Sequence, residues 1–327
     1  MKIAACFPVI FAAEQALSGM ISRRNIRVKV MQTIYAVENT DPVINQQQAL
    51  SILEKHLEQT RQLFTYLVYF LTEIARYAET DARLKASKHL PTADDLNINI
   101  KLAGNQLVWQ ILEDKEYQQA LKDYRVEHLL DKELVRRFYQ RLVDTQEYRI
   151  YIALASREKR DEKKIMEFIF TDLLLPDDNF ISHLEELFMQ WDDDAEMMNL
   201  MMINFLQKPS TYHFMELVSM EKREFARKLV STAIDKKEYC MELIVPRLKN
   251  WDAERIAMLD MILMRMGTCE FLYFETIPTK VTLNEYIDLA KDYSTPQSGH
   301  FVNGILDNIH KELSTADKLR KVDYKKQ

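Results

Sequence analysis

Arg23, Arg24, Arg27 and Lys29 fall within seven consecutive residues, directly after Ser22. Ser22 can cap a helix over residues 23–38, whose apolar side is Ile26, Val30, Ile34 and Val37. Four cations in its first two turns oppose the positive end of the helix dipole, by some tenths of a kcal/mol each. Another interaction must favour them. Arg23 and Arg27, at i and i+4, share one face with Arg24 beside them, and the planar guanidinium fork suits bidentate contact with phosphate. A polyanion such as RNA would explain the cluster. The competing explanation is ion pairing with carboxylates of an acidic middle segment. A second basic group, Lys318, Arg320, Lys321, Lys325 and Lys326, reads as a disordered tail that assists polyanion binding without choosing sequence.

Other chemistries find little support. Only 5 of 327 residues are glycine, and the closest pair is Gly299 and Gly304, so neither a dinucleotide fingerprint nor a phosphate-cradling P-loop can be written. Cys6, Cys240 and Cys269 are far apart with no Cys-x-x-Cys, and the seven histidines form no His-x-x-x-His. No metal site, no cofactor and no enzymatic activity are expected.

The elements that must position the basic cluster are helices. Glycine scarcity, eight scattered prolines and 3.6-residue apolar spacing point to an all-α fold. The clearest helix spans 48–78, where Leu50, Leu53, Leu57, Phe64, Leu67, Leu71 and Ile74 keep 3–4 spacing with Thr60 at the one polar seam position. Pro42, Pro91, Pro176, Pro209, Pro246, Pro278 and Pro296 fall between periodic segments and mark turns. The longest uncharged apolar stretches, Ile3 to Ala13 and Leu63 to Thr72, are too short to span a bilayer. A reducing, cytoplasmic setting with no membrane partner follows. Residues 1–19 read as a non-native or disordered extension ahead of Met20 rather than a secretory signal.

Charge divides the chain. Residues 81–210 carry 25 acidic and 18 basic groups, a net −7, including Asp177, Asp178 and the run Asp192 to Asp194. Residues 211–327 carry 18 of each. The overall charge of −6 therefore says little about what the ends bind.

Trp251, Arg255, Asp260, Arg265, Glu270, Pro278, the Asn284-Glu285 pair, Ala290-Lys291 and Phe301-Val302-Asn303-Gly304 follow one another in an order and spacing that resembles the NusB-type transcription antitermination family. Arg23-Arg24-x-x-Arg27, with Gln32 and Tyr35, resembles that family's first helix. The resemblance covers residues 20–80 and 211–312, and implies a NusB-like helical bundle. Residues 81–210 have no counterpart in it and read as an inserted acidic helical segment, with 313–327 as the basic tail.

The resemblance implies an RNA-binding antitermination factor, acting on the boxA element of nascent ribosomal-operon RNA together with NusE, a small-subunit ribosomal protein, in the RNA polymerase antitermination complex. Arg23, Arg24, Arg27 and Lys29 would contact phosphate, with His300 and Phe301 at the RNA, where an aromatic ring can stack on an unpaired base. Asp260 and Gln297 would face the protein partner. Gln297 stands where the family commonly has an acid, which removes a charge from that contact. The alternative is a helical scaffold that binds basic or ribosomal proteins without recognising RNA. NusB-like domains also occur fused to rRNA cytosine methyltransferases, but no glycine-rich cofactor loop is present here.

Several of these residues also read as structural. Thr282-Leu-Asn-Glu285 has the form of a capping box, with Val281 stapled onto Tyr286. Ser298 can cap a last helix with an inward stripe of Val302, Ile305 and Ile309. Gly304 inside that helix implies close backbone approach, Asn303 a buried hydrogen bond, and Glu270 a packing or hydrogen-bonding role.

Overall fold

The computed structural model describes residues 21–40, 45–96, 98–248 and 256–322. Every regular element among them is helical, as composition and periodicity require. In chain order the α-helices are α1 (Arg23–Thr40), α2 (Gln46–Ala86), α3 (Ala93–Leu96), α4 (Gln106–Glu113), α5 (Lys115–Tyr124), α6 (Lys132–Asp144), α7 (Gln146–Ala153) and α8 (Lys159–Phe168). They continue with α9 (Asp178–Leu187), α10 (Trp191–Gln207), α11 (Met220–Asp235), α12 (Lys237–Ile244), α13 (Met258–Tyr273), α14 (Thr279–Tyr293) and α15 (Ser298–Thr315).

The chain divides into two compact units, one of residues 59–217 and one that joins residues 21–58 to those from 218 onward. The sequence set the boundaries after residues 80 and 210; the first division instead falls within α2, between Glu58 and Gln59. The reason lies in which side chains each part of α2 buries. Leu53 and Leu57 enter the core before the division, whereas Phe64 and Phe70 enter an aromatic cluster of the 59–217 unit.

In that unit the Phe70 ring lies 4.9 Å from Phe180 and 6.2 Å from Phe138, and Phe64 lies 5.5–5.7 Å from Phe205, Tyr212 and Phe214. Such contacts add to the area each ring removes from water. Thr60, the polar seam position of α2, is buried and donates to Asp194 at 3.2 Å. Much of the local acidity has a positional cause. Asp114, Asp131 and Asp177 are N-caps of α5, α6 and α9, and Asp192, Asp193 and Asp194 occupy the first turn of α10. A carboxylate there accepts unsatisfied amides and meets the positive end of the dipole. A segment built from short helices has many such starts.

In the other unit, α1 opens as the sequence indicates: Ser22 Oγ accepts the Asn25 amide at 3.2 Å, and Ile26, Val30, Ile34 and Val37 are buried. The inward stripe of α15 is likewise buried. α13 is buried along nearly its whole length, and Gly267 is what allows α14 and α15 to approach it. A Cβ there would stand 2.9 Å from Leu306 and 3.3 Å from Tyr286. Gly304 has no such role, since a Cβ on it meets nothing within 4 Å, and both it and Asn303 are exposed. The close approach expected of α15 belongs instead to Gly299, where a Cβ would lie 2.7 Å from Lys291 Cγ.

Pro278, with extended backbone (φ −60°, ψ 139°), is the N-cap of α14, so the helix begins at Thr279, three residues ahead of Thr282. Thr282 therefore lies inside the helix, and the capping box is not formed. Its hydroxyl donates to Glu270 Oε2 at 3.1 Å, and Glu285 faces Arg27. Val281 is exposed while Tyr286 is buried, so the staple is absent as well. Ser298 is the first residue of α15 rather than its cap, and donates to Asp260 Oδ2 at 2.8 Å.

Candidate nucleic-acid interface

The four cations of α1 separate into two outward and two inward. Arg27 is 2% exposed. Its Nε and Nη2 donate to Glu270 Oε1 and Oε2 at 2.6 and 3.0 Å, and Nη1 lies 3.3 Å from Glu285 Oε2. The guanidinium lies over the rings of Phe225 and Tyr286. Glu270 also accepts the Thr282 and Tyr286 hydroxyls, at 3.1 and 2.8 Å. Burial disfavours charge on Arg27, but the Glu270 hydrogen bond and charge outweigh it and raise its pKa above the ordinary value. Burial, then the charge of Glu270, pushes the Tyr286 phenol well up and keeps it a donor. Arg27 thus ties α1 to α13 and α14 and is not presented to a phosphate. Lys29, also 2% exposed, is likewise turned away from the surface. These two expectations are corrected: the excess positive charge at the start of α1 is matched in part by a buried acid 243 residues away.

Arg23 and Arg24 remain at the surface. Arg23 donates to Glu221 at the start of α11, and Arg24 to Asp292 at 2.6 Å with Asp288 3.8 Å away, both on α14. Their partners come from the C-terminal helices, not from the acidic middle of the chain. Lys222 lies beside them, and burial lowers its pKa, with Arg23 adding to the effect and Glu221 opposing it.

The start of α15 packs on the same stretch of α14. Gly299 sits against Lys291 Cγ and the Ile287 carbonyl, one helical turn that also carries Asp288 and, next to Lys291, Asp292. Arg24 and the first residues of α15 therefore flank a single turn of α14. Gln297 and His300 are exposed there, and Phe301 is half-buried. Asp260, 5% exposed, does not reach outward as a partner contact. It accepts from Ser298, which in turn bonds Thr295 and Ser294, and so fixes the turn from which Gln297 and His300 project.

The tail also departs from expectation. Lys321 donates to the Glu270 and Phe274 carbonyls, each at 2.7 Å, and the Val322 amide to the Glu275 carbonyl at 3.0 Å. A cation on the last carbonyls of α13 complements its dipole. Burial lowers the Lys321 pKa to about 8 against the opposing charges of Glu270 and Glu275. Trp251, Arg255, Lys325 and Lys326 lie outside the described residues.

The sequence reading missed Glu221, Asp288 and Asp292, the acids beside the two exposed arginines. Asp288 and Asp292 stand at i and i+4 on α14, spaced as Arg23 and Arg27 are on α1, and that matching spacing was the available signal. Among the described residues no group of three or more His, Cys, Asp or Glu could hold a metal ion, and no helix is long and apolar enough to cross a membrane.

A sequence profile of the NusB family matches residues 186–311, from within α9 to α15; the arginines of α1 lie outside it. The chain is 39% identical over 134 residues to the transcription antitermination protein NusB of Salinibacter ruber, covering 40% of this chain and 77% of that protein. It is 41% identical to the proteins of the same name from Exiguobacterium sp. over 92 residues and Bacillus mycoides over 93, in each case 28% of this chain and 72% of the relative. No solved structure matches.

Proposed function

The chain belongs to the NusB family, and on that premise we propose that it acts in transcription antitermination by binding RNA at the surface where α1, α14 and α15 meet. The RNA would be the boxA element of a nascent ribosomal-operon transcript. NusE would be the protein partner, within the RNA polymerase antitermination complex. Binding, not covalent chemistry, is the whole of the activity.

The supporting observation is that Arg24 and the start of α15 flank one turn of α14. Arg23 and Arg24 would exchange exposed carboxylates for phosphate. Exposed pairs contribute about 0–1 kcal/mol, so the exchange costs little, and a bidentate phosphate contact is the stronger one. His300 and Phe301 would meet an unpaired base, with stacking contributing about 1–3 kcal/mol. Gln297 would face the protein partner with hydrogen bonds and no charge. Arg27, Asp260 and Ser298 would act indirectly, by holding α1 and the start of α15.

Fluorescence anisotropy with boxA RNA tests this. Affinity should fall steeply with salt, and Arg23→Ala/Arg24→Ala should weaken binding and reduce the salt slope by about two counterions. Equal binding by the double variant would remove α1 from the interface.

A second reading draws on the pairing of both exposed arginines with carboxylates: a scaffold that binds basic or ribosomal proteins and leaves RNA alone. Recovery of basic proteins that survives ribonuclease, with no cross-link to RNA, would favour it.

A further inference from the structure

Cys240 on α12 and Cys269 on α13 are both fully buried, and their sulfurs stand 3.5 Å apart, unjoined. Arg265 is one turn before Cys269 on α13 and 1% exposed. Its Nη1 pairs with Glu38 at 2.7 Å, while Nε and Nη2 are buried without a hydrogen-bond partner. A buried cation with N–H groups to spare beside two thiols favours a thiolate there. None of these groups takes part in the proposed RNA surface.

We propose that Cys240 and Cys269 form a modification site: a vicinal dithiol that a peroxide oxidises reversibly to an intramolecular disulfide, linking α12 to α13. The Cys240 thiolate attacks one peroxide oxygen, the O–O bond breaks, and hydroxide leaves, giving a sulfenic acid on Cys240. Cys269 Sγ then attacks the Cys240 sulfur and the S–O bond breaks. The Cys269 proton and the proton first released from Cys240 go to the two departing hydroxides. Two thiols and one peroxide thus give one disulfide and two waters.

The asymmetry of the pair supports this order of events. The hydrogen bond with Cys269 comes first in lowering the Cys240 pKa, against burial and helped by Arg265. The same bond, then burial, raises the Cys269 thiol well above its ordinary value. Cys240 is the nucleophile and Cys269 the resolving thiol. The S–S bond of a disulfide is about 2.05 Å, so closure requires α12 and α13 to bring the sulfurs together by roughly 1.5 Å.

The test treats the intact folded chain with dilute hydrogen peroxide, quenches it, alkylates remaining thiols in denaturant, and maps peptides. The expected product joins the Cys240 and Cys269 peptides, is lighter than the two thiol peptides by two hydrogens, and disappears with dithiothreitol. Cys269→Ser should accumulate a sulfenic acid on Cys240 that dimedone traps, whereas Cys240→Ser should trap none on Cys269. Full alkylation of both cysteines after peroxide would overturn the proposal, as would a disulfide formed only through Cys6. If either serine variant fails to fold, the wild-type peptide map decides alone.

Discussion

In the unit of residues 59–217, Phe70, Phe138 and Phe180 meet edge to face or tilted, with ring centroids 4.9–6.2 Å apart. Buried in the other unit stands a charged pair, Arg27 and Glu270, with two hydroxyls and a second carboxylate around it. Rings pack through area and shape, and tolerate a neighbour of similar volume. A buried ion pair tolerates almost no change in one partner, because the survivor keeps its charge without water. The first kind of core can be assembled from many sequences. The second fixes which helices meet, and binds α1 to α13 and α14 in one register.

Conservative substitution should separate the two most widely. Glu270→Gln, nearly the same shape, leaves the Arg27 cation with the part-exposed Glu285 as its one neighbouring carboxylate and should cost about 3 kcal/mol, the lower end of the range for breaking a buried pair. Phe70→Leu should cost about 3 kcal/mol or less. Urea unfolding followed by hydrogen exchange in α1 and α13 for one variant, and in α2 and α9 for the other, reads both. A Glu270→Gln loss below that of Phe70→Leu would remove the distinction.

Glycine sharpens the contrast within a single unit. Gly267→Ala should cost about 1–3 kcal/mol through overpacking against Leu306, whereas Gly304→Ala should gain up to about 1 kcal/mol from helix propensity alone. Thermal melts of the two variants should therefore shift in opposite directions.

The smallest expected effect is a dependence on pH. Burial, then the charges of Lys29 and Lys55, lowers the His56 pKa from 6.5 to about 4. The folded protein thus binds this proton less readily than the unfolded chain. The stability from neutral His56 is complete above about pH 6.5 and declines as pH falls towards 4, by on the order of 1 kcal/mol after solvent screening. His56→Gln should flatten that part of the stability curve.

Local patterns of the fold were legible in the sequence. The cap at Ser22 and the stripes of α1 and α15 depend on neighbours three or four residues apart, and they form. The capping box at Thr282 has an equally good local pattern, but Pro278 begins the helix earlier and Glu270 claims the Thr282 hydroxyl. For the candidate interface, the sequence marked the start of α1 as needing an anionic counterpart, without revealing how many. Arg27 has the same type and spacing as Arg23, yet one is buried on Glu270 and the other half-exposed on Glu221. Only the packing of α1 against α13 distinguishes them.

The 243 residues between Arg27 and Glu270 also set a delay during synthesis. At about 5–20 residues per second, α1 leaves the peptidyl-transferase centre roughly 12–50 s before its carboxylate exists. Residues 59–217 are translated wholly within that interval. The aromatic unit can therefore collapse while the ribosome is still working, and the helix that carries the arginines must wait, its charge in water, until Glu270 has been added.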